Sequence, residues 1–338
     1  MATKDILKTA ELGFQWSTNN PFLFCVHHKD AYPRGNGKMG PEASLEGRRL
    51  GYDFTVRDGW RMYHGKDIPG FPQHPHRGFE TVTIMLEGTV DHADSLGAAG
   101  RYGPGDVQWM TAGSGLQHCE MFPLLNTDRG NPLELFQIWL NLPKKDKFVE
   151  PHYKMLWGED IPTVEQKDGK GRTSSITVVA GSLGGVKAPS PTPDSWAAAE
   201  EHEVAIWLIR MEAGAEWELP PASAKAGRSL YYHRGSGIRV AGEEIPSYSA
   251  IDLNPGRSIP LVNGGDESHL LFLQGHPIEE RTVQYGPFVM NSEAEIREAF
   301  EDYRRTEFGG WPWPKPDQVH DPSKGRFARY ADGREEVP

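Results

Sequence analysis

FPQHPHRGFETVTIMLEGTVDHADSLGAAGRYGPGDVQWMTAGSGLQHCEM, residues 71–121, is the stretch on which the fold turns. Within it Thr81–Leu86 (TVTIML) is a β-branched run that turns at Glu87-Gly88, and Asp106–Thr111 (DVQWMT) follows a Gly-Pro-Gly turn. Short apolar runs bounded by glycine read as antiparallel strands. The same stretch carries two pairs at strand spacing: His74-Pro75-His76 and, 42 residues after His76, His118-Cys119-Glu120. Residues i and i+2 of an extended chain face one way, so His74 projects with His76 and His118 with Glu120. Facing strands would bring three imidazoles and one carboxylate to one point. That donor set suits Fe(II), Mn, Co, Ni, Cu or Zn, and on an octahedral ion it leaves two positions for substrate and O2. Lacking thiolates, it differs from a closed structural zinc site. Glu80, four residues after His76, has the same parity if the strand runs straight through, so spacing leaves it open as a rival carboxylate. Cys119 has the opposite parity and is expected to pack in the core.

Working outward, Leu133–Leu142 (LELFQIWLNL) predicts a longer strand that stops at Pro143, and Pro21–Val26 (PFLFCV) an early one. Residues 33–60, rich in Gly, Arg and charge, predict a long loop or insertion. Residue 173 onward repeats the plan weakly: Val204–Met211, Ser229–His233, Ala250–Leu253, Ile259–Val262 and His269–Leu273 are strand-like, and hairpins close on glycine in both halves. Two related β-barrels are the economical reading. One helix is well signalled. Ser292-Glu293-Ala294-Glu295 is a capping box, Ile296, Ala299, Phe300 and Tyr303 follow at helical spacing, and Gly309-Gly310 ends it. The predicted organisation is a metal-binding domain over 1–145, a connection over 146–172, a metal-free domain with a capping helix over 173–310, and a proline-rich charged tail over 311–338, draped on the surface or mobile.

Composition fits this plan. The 338 residues contain 38 Gly and 27 Pro, about a fifth turn-forming, which favours many short strands over helix bundles. Thirty-six Lys+Arg against 47 Asp+Glu give a net charge of −11, so no basic excess exists for nucleic acid or an anionic membrane. Two cysteines, Cys25 and Cys119, cannot build a disulfide framework, which fits a reducing compartment. Met1 to Asn20 lack an apolar leader core, and no apolar run is long enough to span a membrane. The expectation is a cytoplasmic protein.

Other motifs carry less. Gly35-x-Gly37-x-x-Gly40 matches a dinucleotide-binding string but is followed by Pro41 and lacks a strand-to-helix context. Cys25, His27 and His28 form a C-x-H-H run without a partner pair, read as packing plus a solvated end. Trp207, Tyr231 and Tyr232 are read as core. No G-x-S-x-G, P-loop or H-E-x-x-H occurs. In the second β-run the positions matching the four ligands and Glu80 are Pro221, Ser223, Gly227, Leu261 and Asn263, none able to replace a histidine pair.

Residues 71–121 resemble the signature of the pirin family within the cupin superfamily. LELFQIWLNLPKKDKFVEPHY (133–153) and GHPIEERTVQYGPFVMNSEAEIREAFEDY (275–303) resemble two further pirin segments. The resemblance implies an all-β bicupin of two antiparallel barrels with a C-terminal helix, and one iron, as Fe(II), in the N-terminal barrel alone. By position it implies the ligands His74, His76, His118 and Glu120, favouring Glu120 over Glu80. It also implies quercetinase activity: 2,3-dioxygenation of a flavonol by O2 with ring opening and release of carbon monoxide, for which Glu120 is the best-placed base. Arg77, beside His76, is read as shaping the pocket mouth or as a structural ion pair. The rival implied role is an iron-dependent redox-sensing regulator that docks on a protein partner, and the acidic net charge favours protein over DNA there.

Overall fold

A computed structural model describes residues 4–338; the expectation for the first residues extends to Met1–Thr3, outside the described residues. The chain divides into two compact units, each built mainly on two antiparallel sheets, and one of them also carries the α-helix Glu293–Thr306. The sheets remain open rather than closing into continuous barrels.

In the site-bearing unit one sheet orders His152–Leu156, Val107–Thr111, Phe79–Glu87 and Asn131–Asn141, with the end of Phe22–Tyr32 beyond them. The other orders Glu335–Glu336, Phe327–Arg329, Ala99–Tyr102, Val90–Asp94, Leu116–Met121 and Gly70–His76. Val107–Thr111 and most of Phe79–Glu87 are buried, including the polar Glu80, Thr81, Thr83, Gln108 and Thr111. Gly70–His76 lies on an edge, where Pro72 and Pro75 can do without amide donors.

The other unit carries a seven-stranded sheet, in which Ile6–Glu11 pairs with Ser249–Leu253, and a four-stranded sheet that includes Ile259–Asn263. Its core includes Trp207, Leu230, Tyr232, Leu261 and Phe272. Tyr231 is buried as well.

The units depart from the expected linear division. One comprises Met1–Val26 with Asp160–Glu279, the other His27–Glu159 with Glu280–Pro338. The capping helix and the tail therefore belong with the histidine pairs and not with the second β-run. The helix, Glu293–Thr306, begins as its capping box predicts, with Ser292 Oγ accepting from Glu295 N at 3.2 Å. Its buried Ile296 and Ala299 cluster with Phe288 and Met290. Local periodicity reveals that a helix forms but not which sheet it covers. The expected connection over 146–172 also shrinks, because His152–Leu156 pairs with Val107–Thr111 and Thr163–Lys167 pairs with Thr173–Ala180.

The tail is docked. Phe327–Arg329 adds a strand beside Ala99–Tyr102, burying Phe327 and Ala328. Arg101, 2% exposed, grips both oxygens of Asp91 at 2.7 and 2.8 Å and donates to the carbonyls of His320, Asp321 and Lys324. Residues 33–69 contain neither strand nor helix, only isolated bridges. Within them Gly35 presses against the backbone of Leu124 and Gly40 against that of Asp67, so these glycines serve close packing and not phosphate binding. No helix among the described residues is long and apolar enough to cross a membrane.

Candidate metal centre

Gly70–His76 pairs antiparallel with Leu116–Met121, placing His74 opposite His118, His76 opposite Leu116, and Phe71 opposite Glu120, with an irregularity between Phe71 and His74. The ligand nitrogens of His74, His76 and His118 all lie within 4.8 Å of one another. The His74 and His118 ring centroids are 4.4 Å apart, those of His74 and His76 4.8 Å, and those of His76 and His118 4.9 Å.

Hydrogen bonds set which nitrogen each ring offers. His74 Nδ1 lies 2.8 Å from the carbonyl of Pro72, and His76 Nδ1 3.4 Å from that of Pro287. A carbonyl only accepts, so each Nδ1 carries the proton and each Nε2 keeps a free lone pair, the usual arrangement of a metal-ligating histidine. His118 is fully buried, and neither of its ring nitrogens has a hydrogen-bond partner among the described residues. An unmet buried polar atom costs about 1–3 kcal/mol; a cation would meet it. Burial lowers the His74 pKa to about 4, and burial with repulsion from neighbouring imidazoles holds His76 and His118 well below the usual histidine range. All three are neutral near pH 7 and able to donate lone pairs. The residues fit a divalent transition ion.

Glu120 lies at the margin of this cluster, with Oε2 3.8 Å from His118 Nε2. Thr83 Oγ1 donates to its Oε1 at 3.2 Å and Gln137 Nε2 to its Oε2 at 2.7 Å. Burial raises its pKa, and His92, Gln137 and Thr83 partly offset that. Glu80 is engaged elsewhere, accepting from Trp109 Nε1 at 3.1 Å and Thr111 Oγ1 at 2.7 Å. The strand does not run straight through to it. The chain turns at Arg77-Gly78, where Gly78 has φ 84° and a Cβ would strike the carbonyl oxygen of Val289.

Arg77 is structural. It donates to Ser114 O at 2.6 Å, pairs with Asp302 at 3.0 Å, and lies 4.5 Å over the Phe308 ring. Cys119 is fully buried with Ile68, Ala93 and Met121, and burial pushes its thiol pKa up. His27 and His28 are both buried, His27 against Glu134 at 3.0 Å, so no end of that run is solvated. In the other unit Asn263 Nδ2 ties down the carbonyls of Met211, Glu212 and Asp266, and Ser223 bonds His276 at 2.6 Å.

One group escaped the sequence reading. His92 stands opposite Glu120 on the neighbouring strand Val90–Asp94, its ring centroid 5.5 Å from that of His118. Gln108 Nε2 donates to its Nδ1 at 2.9 Å, its Nε2 faces Asp94 Oδ2 at 3.3 Å, and Tyr153 stacks on it at 4.9 Å. The i, i+2 pair His92 and Asp94 carried the signal, with the same parity rule that picks out His74 and His76.

Paired open antiparallel sheets with a histidine cluster on adjacent strands define a cupin-type protein. A family model described as Pirin matches residues 37–140, and one described as Pirin C-terminal cupin domain matches residues 206–309. The chain belongs to the pirin family. It is similar to a pirin-like protein of Solanum lycopersicum, 39% identical over 241 residues, covering 70% of this chain and 75% of that protein. Human pirin is 35% identical over 248 residues, covering 71% and 78%. Among solved structures, a quercetin 2,3-dioxygenase from Acinetobacter baumannii superposes with a TM-score of 0.71 at 26% identity, covering 91% of this chain and 99% of that one.

Proposed function

We propose that this protein is an iron-dependent dioxygenase of quercetin-type flavonols, with the metal held by His74, His76, His118 and Glu120. The observation that carries the reading is the buried cluster of three neutral imidazoles, with two rings oriented to offer Nε2 and the third unpartnered at both nitrogens. The likeness to the Acinetobacter quercetin 2,3-dioxygenase supports the substrate class.

Fe(II) bound there would supply Lewis acidity toward a phenolic oxygen and redox access to O2. The chain's own residues supply the rest. Glu120 accepts the proton of the flavonol 3-hydroxyl, and its raised pKa makes it a stronger base than a solvated carboxylate. Thr83 and Gln137 hold that carboxylate in one orientation. The stacked rings of Phe79 and Trp139, 4.0 Å apart and beside His76, keep that flank of the site apolar and limit water.

The test uses protein loaded anaerobically with Fe(II) and then given quercetin and O2, following flavonol absorbance, oxygen uptake and carbon monoxide together. Catalytic loss of flavonol with stoichiometric carbon monoxide, abolished in His118→Ala, is expected. Stoichiometric iron without turnover would overturn the reading in favour of a regulator that docks on a protein.

A further inference from the structure

The segment before the first histidine strand is irregular in backbone but firmly built. The Arg48 guanidinium donates to Asp53 Oδ2 at 3.0 Å, Trp60 O at 3.0 Å and Arg57 O at 2.7 Å, and lies 3.4 Å over the Trp60 ring. Asp53 and Tyr63 exchange backbone hydrogen bonds at 2.7 and 2.9 Å. His64 Nδ1 is fixed to Gly51 O at 2.8 Å.

On this platform aromatic rings run without a break from solvent to the metal cluster. Tyr52 is 58% exposed, and its ring lies 5.3 Å from Phe54 and 6.0 Å from His64. His64 lies 5.0 Å from Phe54 and 5.7 Å from Phe71. Phe71, half-buried, lies 6.3 Å from His74. Two cations border the outer end. Arg49 stands 5.0 Å over the Tyr52 ring, and Lys66 Cε would lie 3.6 Å from a Cβ on Gly51. Both are exposed, and neither pairs with a carboxylate among the described residues. In a chain of net charge −11, unpaired cations beside an exposed aromatic strip mark a place for a flat anion.

We infer that Tyr52, Phe54, His64 and Phe71 form a preformed strip that binds planar aromatic anions and leads them to His74, with Arg49 and Lys66 selecting for negative charge. The substrate class is therefore polyphenols bearing a phenolate, carboxylate or sulfate, and the fate of the ligand rests on the dioxygenase reading. A rigid platform lowers the ordering cost of binding, and aromatic rings attract planar aromatic ligands.

The experiment titrates iron-loaded full-length protein anaerobically with quercetin and, separately, with 1-hydroxy-2-naphthoate, reading Kd by calorimetry. Tyr52→Ala, at an exposed position, is expected to raise both Kd values about five- to tenfold with iron stoichiometry unchanged. Arg49→Glu is expected to weaken both ligands by a factor that shrinks with added salt. Kd values within twofold of wild type in Tyr52→Ala and in Phe54→Leu would overturn the strip, as would wild-type protein that binds neither ligand. Binding that Tyr52→Ala weakens, without quercetin turnover on admitting O2, upholds the strip and sinks the dioxygenase reading. Turnover with Kd unmoved by Tyr52→Ala does the reverse.

Discussion

His74 and His118 stand directly opposite each other on antiparallel neighbours, their ring centroids 4.4 Å apart, with no hydrogen bond to either nitrogen of His118 among the described residues. Two neutral rings held this close gain little from each other. A cation between them would give the arrangement its value.

His76→Ala and His118→Ala are each expected to abolish tight metal binding while leaving the far-ultraviolet spectrum unchanged. Outer partners of metal-bound histidines are worth ~10–100-fold in affinity, so loss of a ligand should cost at least about 100-fold. Metal content after dialysis against a weak chelator checks this, and near-stoichiometric iron retained in both variants would sink the site.

Acid should destabilise the metal-free protein before its carboxylates titrate. The His74 pKa falls from 6.5 to about 4 on folding, so the unfolded chain binds more protons between those values. The stability is fully present above the unfolded pKa and is lost as pH falls toward 4, at most about 3 kcal/mol for His74. His76 and His118 shift in the same direction and add to it. Urea titrations of metal-free protein at pH 7.5 and pH 5 should show a lower midpoint at pH 5; equal midpoints would contradict the neutral cluster. Bound metal should be released over the same range, because protons compete for the same lone pairs.

Gln137→Leu removes the 2.7 Å donor to Glu120. A hydrogen bond to a charged group is worth about 1.5–3 kcal/mol, so the Glu120 pKa should rise further and the acid limb of kcat/KM should move up by about one pH unit. A profile that only drops in height would assign Gln137 to packing alone.

Arg101→Met leaves Asp91 buried without its ion-pair partner, which typically costs about 3–5 kcal/mol. The tail should come loose, since three of its carbonyls lose their donor. Limited proteolysis read by mass should show early cleavage beyond residue 310, and a tail as resistant as in wild type would contradict the clasp.

Much of the site was legible because a strand obeys a period of two. His74, His76, His118 and Glu120 could be assigned to faces without knowing the fold, and Cys119 to the opposite face. Glu80 could not, since its orientation depends on a turn at Gly78 that parity alone does not register. His92 followed the same period but lacked a histidine two residues away to draw notice. The helix was readable from its cap and apolar spacing, yet its placement depends on contacts with Phe288 and Met290 that no local pattern encodes. The tail was open between draped and mobile because its hold on the sheet comes from Arg101, some 220 residues away in sequence.

The exchange of terminal segments bears on how such a protein is made. A ribosome delivers His74, His76, His118 and Glu120 early, but the unit that holds them is finished only when residues 280–338 have emerged. The early half must wait, with one flank uncovered, while the whole of Asp160–Glu279 is synthesised. Completion of the unit that bears the histidine cluster thereby waits on residues 280–338, and neither unit is one continuous segment of the chain.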